Sequence, residues 1–143
     1  MKLRPPAARL ANCCWLPRLA DKTRAHLAGE LSLSYRIAFG SAIGVDGYFL
    51  RHFRLRLPAV IGAVKSSPDD EALARWFTSR PGVAPALIEE WNAFAPKLGS
   101  KGHPGYAARQ TLKWLLYPRS IFHPVNSLFE AIVQDEDLAA PGN

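Results

Sequence analysis

The stretch Trp15-Leu16-Pro17-Arg18-Leu19-Ala20-Asp21-Lys22-Thr23-Arg24-Ala25-His26-Leu27-Ala28-Gly29 decides the fold class. Pro17 suits a helical first turn, where backbone N–H groups have no intrahelical acceptor and a missing donor costs nothing. Leu16, Leu19, Thr23 and Leu27 then recur at helical spacing, and Gly29 supplies a stop, so an amphipathic helix is predicted.

The same grammar recurs downstream. Tyr48, Phe49, Leu50 and Phe53 follow a glycine-rich loop, Gly40 to Gly47, in which Asp46 is placed to cap the next helix. A short helix is expected over Pro58 to Lys65. Ser67-Pro68-Asp69-Asp70-Glu71 reads as a helix start, a hydroxyl cap with acids behind it, for a run through Leu73, Trp76 and Phe77 to Ser79. Pro85 opens a helix carrying Leu87, Ile88, Trp91 and Phe94; another spans Pro104 to Tyr117 and stops at Pro118; the last starts near Pro124. Leu31, Leu33, Tyr35, Ile37 and Phe39 alternate with smaller or polar residues, which predicts an extended, strand-like segment over 31–39. The expectation is a mainly α fold: one compact domain over residues 1–143, with about six short helices and one extended segment.

Composition bounds the rest. With 48% hydrophobic and 21% charged residues in 143, the chain carries enough apolar material for a core, which excludes a wholly disordered protein. Cys13 and Cys14 are the only cysteines; adjacent thiols staple no loop, so a disulfide scaffold is excluded and a reducing cytoplasm is the expected compartment. The longest apolar run, Pro58 to Val64, falls far short of the ~20 residues of a membrane span. Pro5, Pro6 and Arg9 interrupt the place where a signal peptide would be apolar.

The formal charge of +6 hides an asymmetry: residues 1–65 sum to +8 and residues 66–143 to −2. Arg18, Lys22 and His26 lie four residues apart on the first helix and form one stripe, with Asp21 between Arg18 and Arg24. A second group, Arg51, His52, Arg54 and Arg56, follows the glycine-rich loop. Cations beside an acid can hold a carboxylate or phosphate; they can equally be paired within the fold, including by the acidic end at Glu130, Asp135, Glu136 and Asp137.

Other chemistry finds less support. His26, His52, His103 and His123 form no close pair, Cys13-Cys14 is not a Cys-x-x-Cys, and no metal or other cofactor is expected. No Gly-x-Ser-x-Gly elbow or phosphate-loop motif occurs, and no helix carries a base-reading pattern. Trp15, Trp76, Trp91 and Trp114, on or beside four helices, are expected to fill interhelical space rather than stack on bases or sugars.

WLPRLADKTRAHLAGEL, residues 15–31, resembles the opening signature of a domain-of-unknown-function family, number 5069, through Leu16, Pro17, Arg18, Leu19, Asp21, Lys22, Arg24, Leu27, Ala28 and Gly29. Tyr48-Phe49-Leu50, residues 67–77 and Trp91-Asn92 follow in the family's order, so the resemblance spans about residues 3–98, while the Arg-rich 51–57 stretch departs from it. The resemblance implies a compact, mostly helical bacterial protein and carries no activity, cofactor or partner with it. It marks Arg18, Asp21, Lys22 and Arg24 as the residues of interest.

The functional expectation is a non-enzymatic domain that binds an anionic ligand or an acidic protein surface through Arg18, Asp21, Lys22, Arg24, His26, Arg51 and Arg54. One alternative is a small enzyme that holds an acidic metabolite on Arg18 and Lys22, with Asp21 or His26 moving a proton. The other is a salt-sensitive, non-specific nucleic-acid binder.

Overall fold

A computed structural model describes residues 2–116 and 125–139. The chain begins with a miniature antiparallel hairpin, β1 (Arg9–Leu10) and β2 (Cys13–Cys14), with Leu10 opposite Cys13. Its two-residue loop, Ala11-Asn12, has φ of 53° and 61°, the left-handed pair that a tight hairpin turn demands. The helices follow: α1 (Leu16–Leu27), α2 (Leu33–Ala38), α3 (Val45–His52), α4 (Leu57–Ser66), α5 (Asp70–Thr78), α6 (Pro85–Phe94), α7 (Tyr106–Leu116) and α8 (Leu128–Ala139), with a 3-10 turn over Ala95–Lys97. The fold is a single, mainly α domain, as the periodicity predicts.

Residues 31–39 are the clear exception. Instead of a strand, Leu33–Ala38 forms helix α2, capped by Ser32, and it buries none of its residues. Leu33 is 65% and Ile37 44% exposed, so the alternation does not mark a buried face. A lone strand leaves its backbone groups without partners; a helical turn satisfies them locally, with Arg36 N–H on Ser32 O at 2.8 Å and Phe39 N–H on Tyr35 O at 2.8 Å.

Two helix starts also differ from expectation. Gly44 rather than Asp46 caps α3, and Asp69 rather than Ser67 caps α5, its carboxylate accepting the Ala72 N–H at 2.8 Å. Tyr117, Pro118, His123 and Pro124 lie outside the described residues, as does the side chain of Trp114.

An aromatic cluster joins α3, α5 and α6. Phe49 lies 5.0 Å from Phe53, 5.9 Å from Phe77 and 5.4 Å from Trp91, ring centre to ring centre. Trp91 then donates its indole N–H to Cys14 O at 2.9 Å, while Asn92 accepts the Cys14 N–H at 2.9 Å and donates to Asn12 O at 2.7 Å. The hairpin is thereby clamped to α6, which fixes where Trp15 leaves β2 and α1 begins. Both cysteines are buried as small apolar side chains, and burial pushes the Cys14 thiol up to about 11.

Candidate functional site

Trp15 sets the site. Its backbone takes φ of 72°, a costly conformation for a residue with a Cβ, as it caps α1. The turn lays its indole against Phe129 of α8, 5.6 Å between stacked rings. Lys22 Nζ stands 4.9 Å and the Arg18 guanidinium 5.5 Å from the centre of the same indole.

Arg18 and Lys22, one helical turn apart, are 2% and 3% exposed. Each meets one carboxylate. Lys22 Nζ donates to Asp46 Oδ2 at 2.6 Å; the Trp15 indole N–H donates to Asp46 Oδ1 at 2.8 Å; the Gly40 N–H donates to Oδ2 at 2.9 Å. Arg18 donates through Nη2 and Nη1 to the two oxygens of Glu136 on α8, and Nη1 also reaches Arg4 O at 3.2 Å. Tyr35 of α2 donates its hydroxyl to Glu136 Oε1 at 2.8 Å.

The carboxylate Asp46 reaches Lys22 because the loop before α3 is pressed onto that helix. A Cβ on Gly47 would sit 2.4 Å from Ser41 O, and the Gly47 N–H bonds that oxygen at 3.0 Å. The result is a cavity of about 110 Å3 between α1, α2, α3 and α8. Arg18, Lys22, Asp46, Asp135 and Glu136 supply its charge, Trp15, Tyr35 and Ile132 its rings and aliphatic surface, and Ser32, Ser34 and Ser41 its hydroxyls.

Burial pushes the Lys22 ammonium below its usual range; the Asp46 charge and hydrogen bond oppose that shift, and Arg18 adds to it. Burial, with the Glu136 hydrogen bond and charge behind it, pushes the Tyr35 phenol up to about 12.

The seven residues expected to act together are thus divided. Arg18 and Lys22 line the cavity. Asp21 and Arg24 belong to a separate ion cluster in which Arg4 bridges Asp21 at 2.9 Å and Asp70 at 2.6 Å, with Arg24 on Asp70 at 2.9 Å. That cluster ties the N-terminal segment to α1 and α5 and leaves Asp21 no place in the cavity. His26 is exposed and lies against the Phe39 ring, 5.1 Å between centres, beyond the cavity wall. Arg51 is exposed over Tyr48, Arg54 is exposed after α3, and His52 is held by Leu87 O at 2.8 Å. Sequence reading missed Trp15 and Tyr35 as site residues and took Asp46 for a cap. Their only signal was position: an acid in an apolar run, and aromatics flanking the motif helix. No group of three or more His, Cys, Asp or Glu side chains is placed to hold a metal among the described residues, and none of their helices is long and apolar enough to cross a membrane.

The architecture defines a class: a mainly α domain with a charged pocket between α1, α2, α3 and α8. Residues 1–137 match the family model described as Domain of unknown function (DUF5069), and the chain belongs to that family. The match runs well past residue 98, through α7 and into α8, so Arg18 and Glu136 meet within one family domain. No curated protein matches the chain.

Proposed function

We propose that the domain binds a compact, singly charged carboxylate in the cavity beside Arg18 and Lys22. One observation carries this reading: two buried cations on successive turns of α1 face one cavity with more N–H donors than nearby acceptors use. An ammonium has three donors and a guanidinium five. Among the described residues Lys22 donates to Asp46 alone, and Arg18 Nε is buried with no acceptor. Buried donors favour an acceptor-rich guest, because leaving them unmatched costs about 1–3 kcal/mol each.

Charge and size narrow the guest. Asp46 and Glu136 already balance Lys22 and Arg18, so a guest's charge meets no surplus of cations at the cavity, which disfavours phosphates of higher charge. The volume is below the ~150 Å3 of a cavity that takes benzene, so the guest has about four to six heavy atoms inside the site. The reading keeps Arg18 and Lys22 of the wider basic set and leaves Arg24, Arg51 and Arg54 out of ligand contact. A nucleic-acid reading would rest on the exposed Arg51 and Arg54 instead, since the two cations at the cavity are buried.

The test is a two-dimensional NMR titration of the full chain with lactate. Amide shifts are expected in α1 and residues 40–46, with affinity weakened about tenfold by Arg18→Gln and unchanged by Arg51→Glu with Arg54→Glu. A titration in which lactate moves no amide of α1, or in which the Arg51/Arg54 variant alone abolishes binding, overturns the proposal.

A further inference from the structure

We infer that Lys22 is a carbonyl-trapping amine, condensing with a 2-oxo carboxylate whose carboxylate group lies on Arg18 to form a protein-bound imine. This rests on the carboxylate-binding reading above and goes beyond it, from holding a ligand to reacting with one.

The geometry has three parts. Arg18 and Lys22 are i and i+4 on α1, neighbours on one helix face, so an amine stands beside a guanidinium that already holds one carboxylate, Glu136, which the guest carboxylate would displace. A 2-oxo acid carries its carboxylate and its ketone on adjacent carbons and is about six heavy atoms in its smallest form, within the size bound already drawn. The amine is withdrawn from water: Lys22 is 3% exposed, covered by the Trp15 indole, and bonded to one carboxylate. Water competes with an amine for a carbonyl and hydrolyses imines, so exclusion favours the condensed product.

Asp46 completes the arrangement. Its Oδ2 is 2.6 Å from Lys22 Nζ, within reach of a direct proton transfer. The charged groups around the amine are Asp46, Arg18 and Glu136, with Asp135 also on the cavity wall. Burial and the Arg18 charge ease loss of the ammonium proton, against the pull of Asp46 and Glu136.

The step balances without oxidant or reductant. The Lys22 ammonium gives one proton to Asp46, and its lone pair forms a C–N bond to the ketone carbon as the C=O π bond opens. The resulting alkoxide takes that proton back from Asp46 to become a carbinolamine whose nitrogen is still protonated. The nitrogen then passes one proton through Asp46 to the hydroxyl; the C–O bond breaks to release one water as the nitrogen lone pair forms the C=N bond, leaving a protonated imine. The sum is ammonium plus ketone giving iminium plus water, with the charge unchanged.

The test uses the full chain, pyruvate and sodium cyanoborohydride, read by intact mass and by peptide mapping, beside a parallel lactate titration. The expected result is about one reduced adduct per chain, on the peptide bearing Lys22, suppressed by excess lactate and lowered about tenfold or more by Lys22→Arg. Mapping in the wild-type protein keeps the test decisive even if Lys22→Arg does not fold. Lactate shifts in α1 without a Lys22 adduct overturn the imine and leave carboxylate binding standing. An adduct on another lysine also overturns the imine. Absence of both shifts and adduct overturns the two readings together.

Discussion

Lys22 Nζ and Asp46 Oδ2 stand 2.6 Å apart with both side chains almost fully withdrawn from solvent, joining the second turn of α1 to the first turn of α3. The pair is asymmetric. Asp46 also receives the Trp15 indole and the Gly40 N–H, whereas Lys22 bonds Asp46 alone among the described residues. Removing the acid therefore strands a buried ammonium and two further donors, and Asp46→Ala is expected to cost about 3–5 kcal/mol. Lys22→Met leaves Asp46 with two donors and an aliphatic chain in place of the lysine stem, at a cost of about 1–3 kcal/mol. Urea unfolding of the two variants checks the order; equal losses contradict the asymmetry.

The close approach at Gly47 gives a second prediction. The oxygen a Cβ would meet at 2.4 Å belongs to the backbone, so no rotamer change relieves the contact. Gly47→Ala is expected to lose about 1–3 kcal/mol and to displace the loop that presents the Gly40 N–H to Asp46. The same NMR spectra would show the change concentrated in residues 40–47; a variant as stable as the parent with those amides unmoved contradicts it.

Acid should act through the cluster around Arg4. Its hydrogen bond, and then that of Arg24, hold the Asp70 carboxyl below its ordinary 3.8, against the opposing effect of burial. Between the lowered value and 3.8 the unfolded chain binds the proton that the folded one refuses, so stability rises with pH there. The Asp70 contribution is complete above 3.8 and is lost as pH falls through the folded value. Because the Asp70 side chain is 35% exposed, solvent weakens the effect. Asp70→Asn is expected to flatten the fall of the urea midpoint between about pH 5 and pH 2, and an unchanged slope would contradict it.

Sequence patterns locate most of the fold because most helices here bury a periodic apolar face after a proline or an acidic start. Pro85–Phe94 and Leu16–Leu27 are legible for that reason. Leu33–Ala38 is not: it is short, exposed and held by local backbone bonds, so its alternating leucine, tyrosine and isoleucine carry a strand's signature without a strand's partner. The motif helix identifies Arg18 and Lys22, but spacing on one helix says nothing about what faces each side chain. Asp21 lies three residues from Arg18 in sequence and serves Arg4, 17 residues away. The partners of the cavity cations, Asp46 and Glu136, come from 24 and 118 residues away, and only tertiary packing selects them.

Glu136 is the most informative residue to change. Its carboxylate occupies Arg18 from α8 and accepts the Tyr35 hydroxyl, so it stands where a guest carboxylate would compete. Glu136→Gln keeps the shape and removes the charge. Three outcomes are expected together. Stability falls by about 1.5–3 kcal/mol as the charged hydrogen bonds between α8 and α1 weaken. Lactate binds about tenfold more tightly, because Arg18 no longer has to be taken from an internal carboxylate. The Tyr35 phenol, held up to about 12 partly by Glu136, moves back toward its ordinary 10. Since a raised phenol holds its proton longer in the folded state, the Tyr35 contribution is complete below 10 and is lost as pH rises through about 12. The variant's loss should therefore begin at the same pH, near 10, and end at a lower one than in the parent. Tyrosinate absorbance in the parent, in Glu136→Gln and in Tyr35→Phe separates this phenol from the other three tyrosines. If Glu136→Gln weakens lactate binding instead, Glu136 orders the site rather than competing for it.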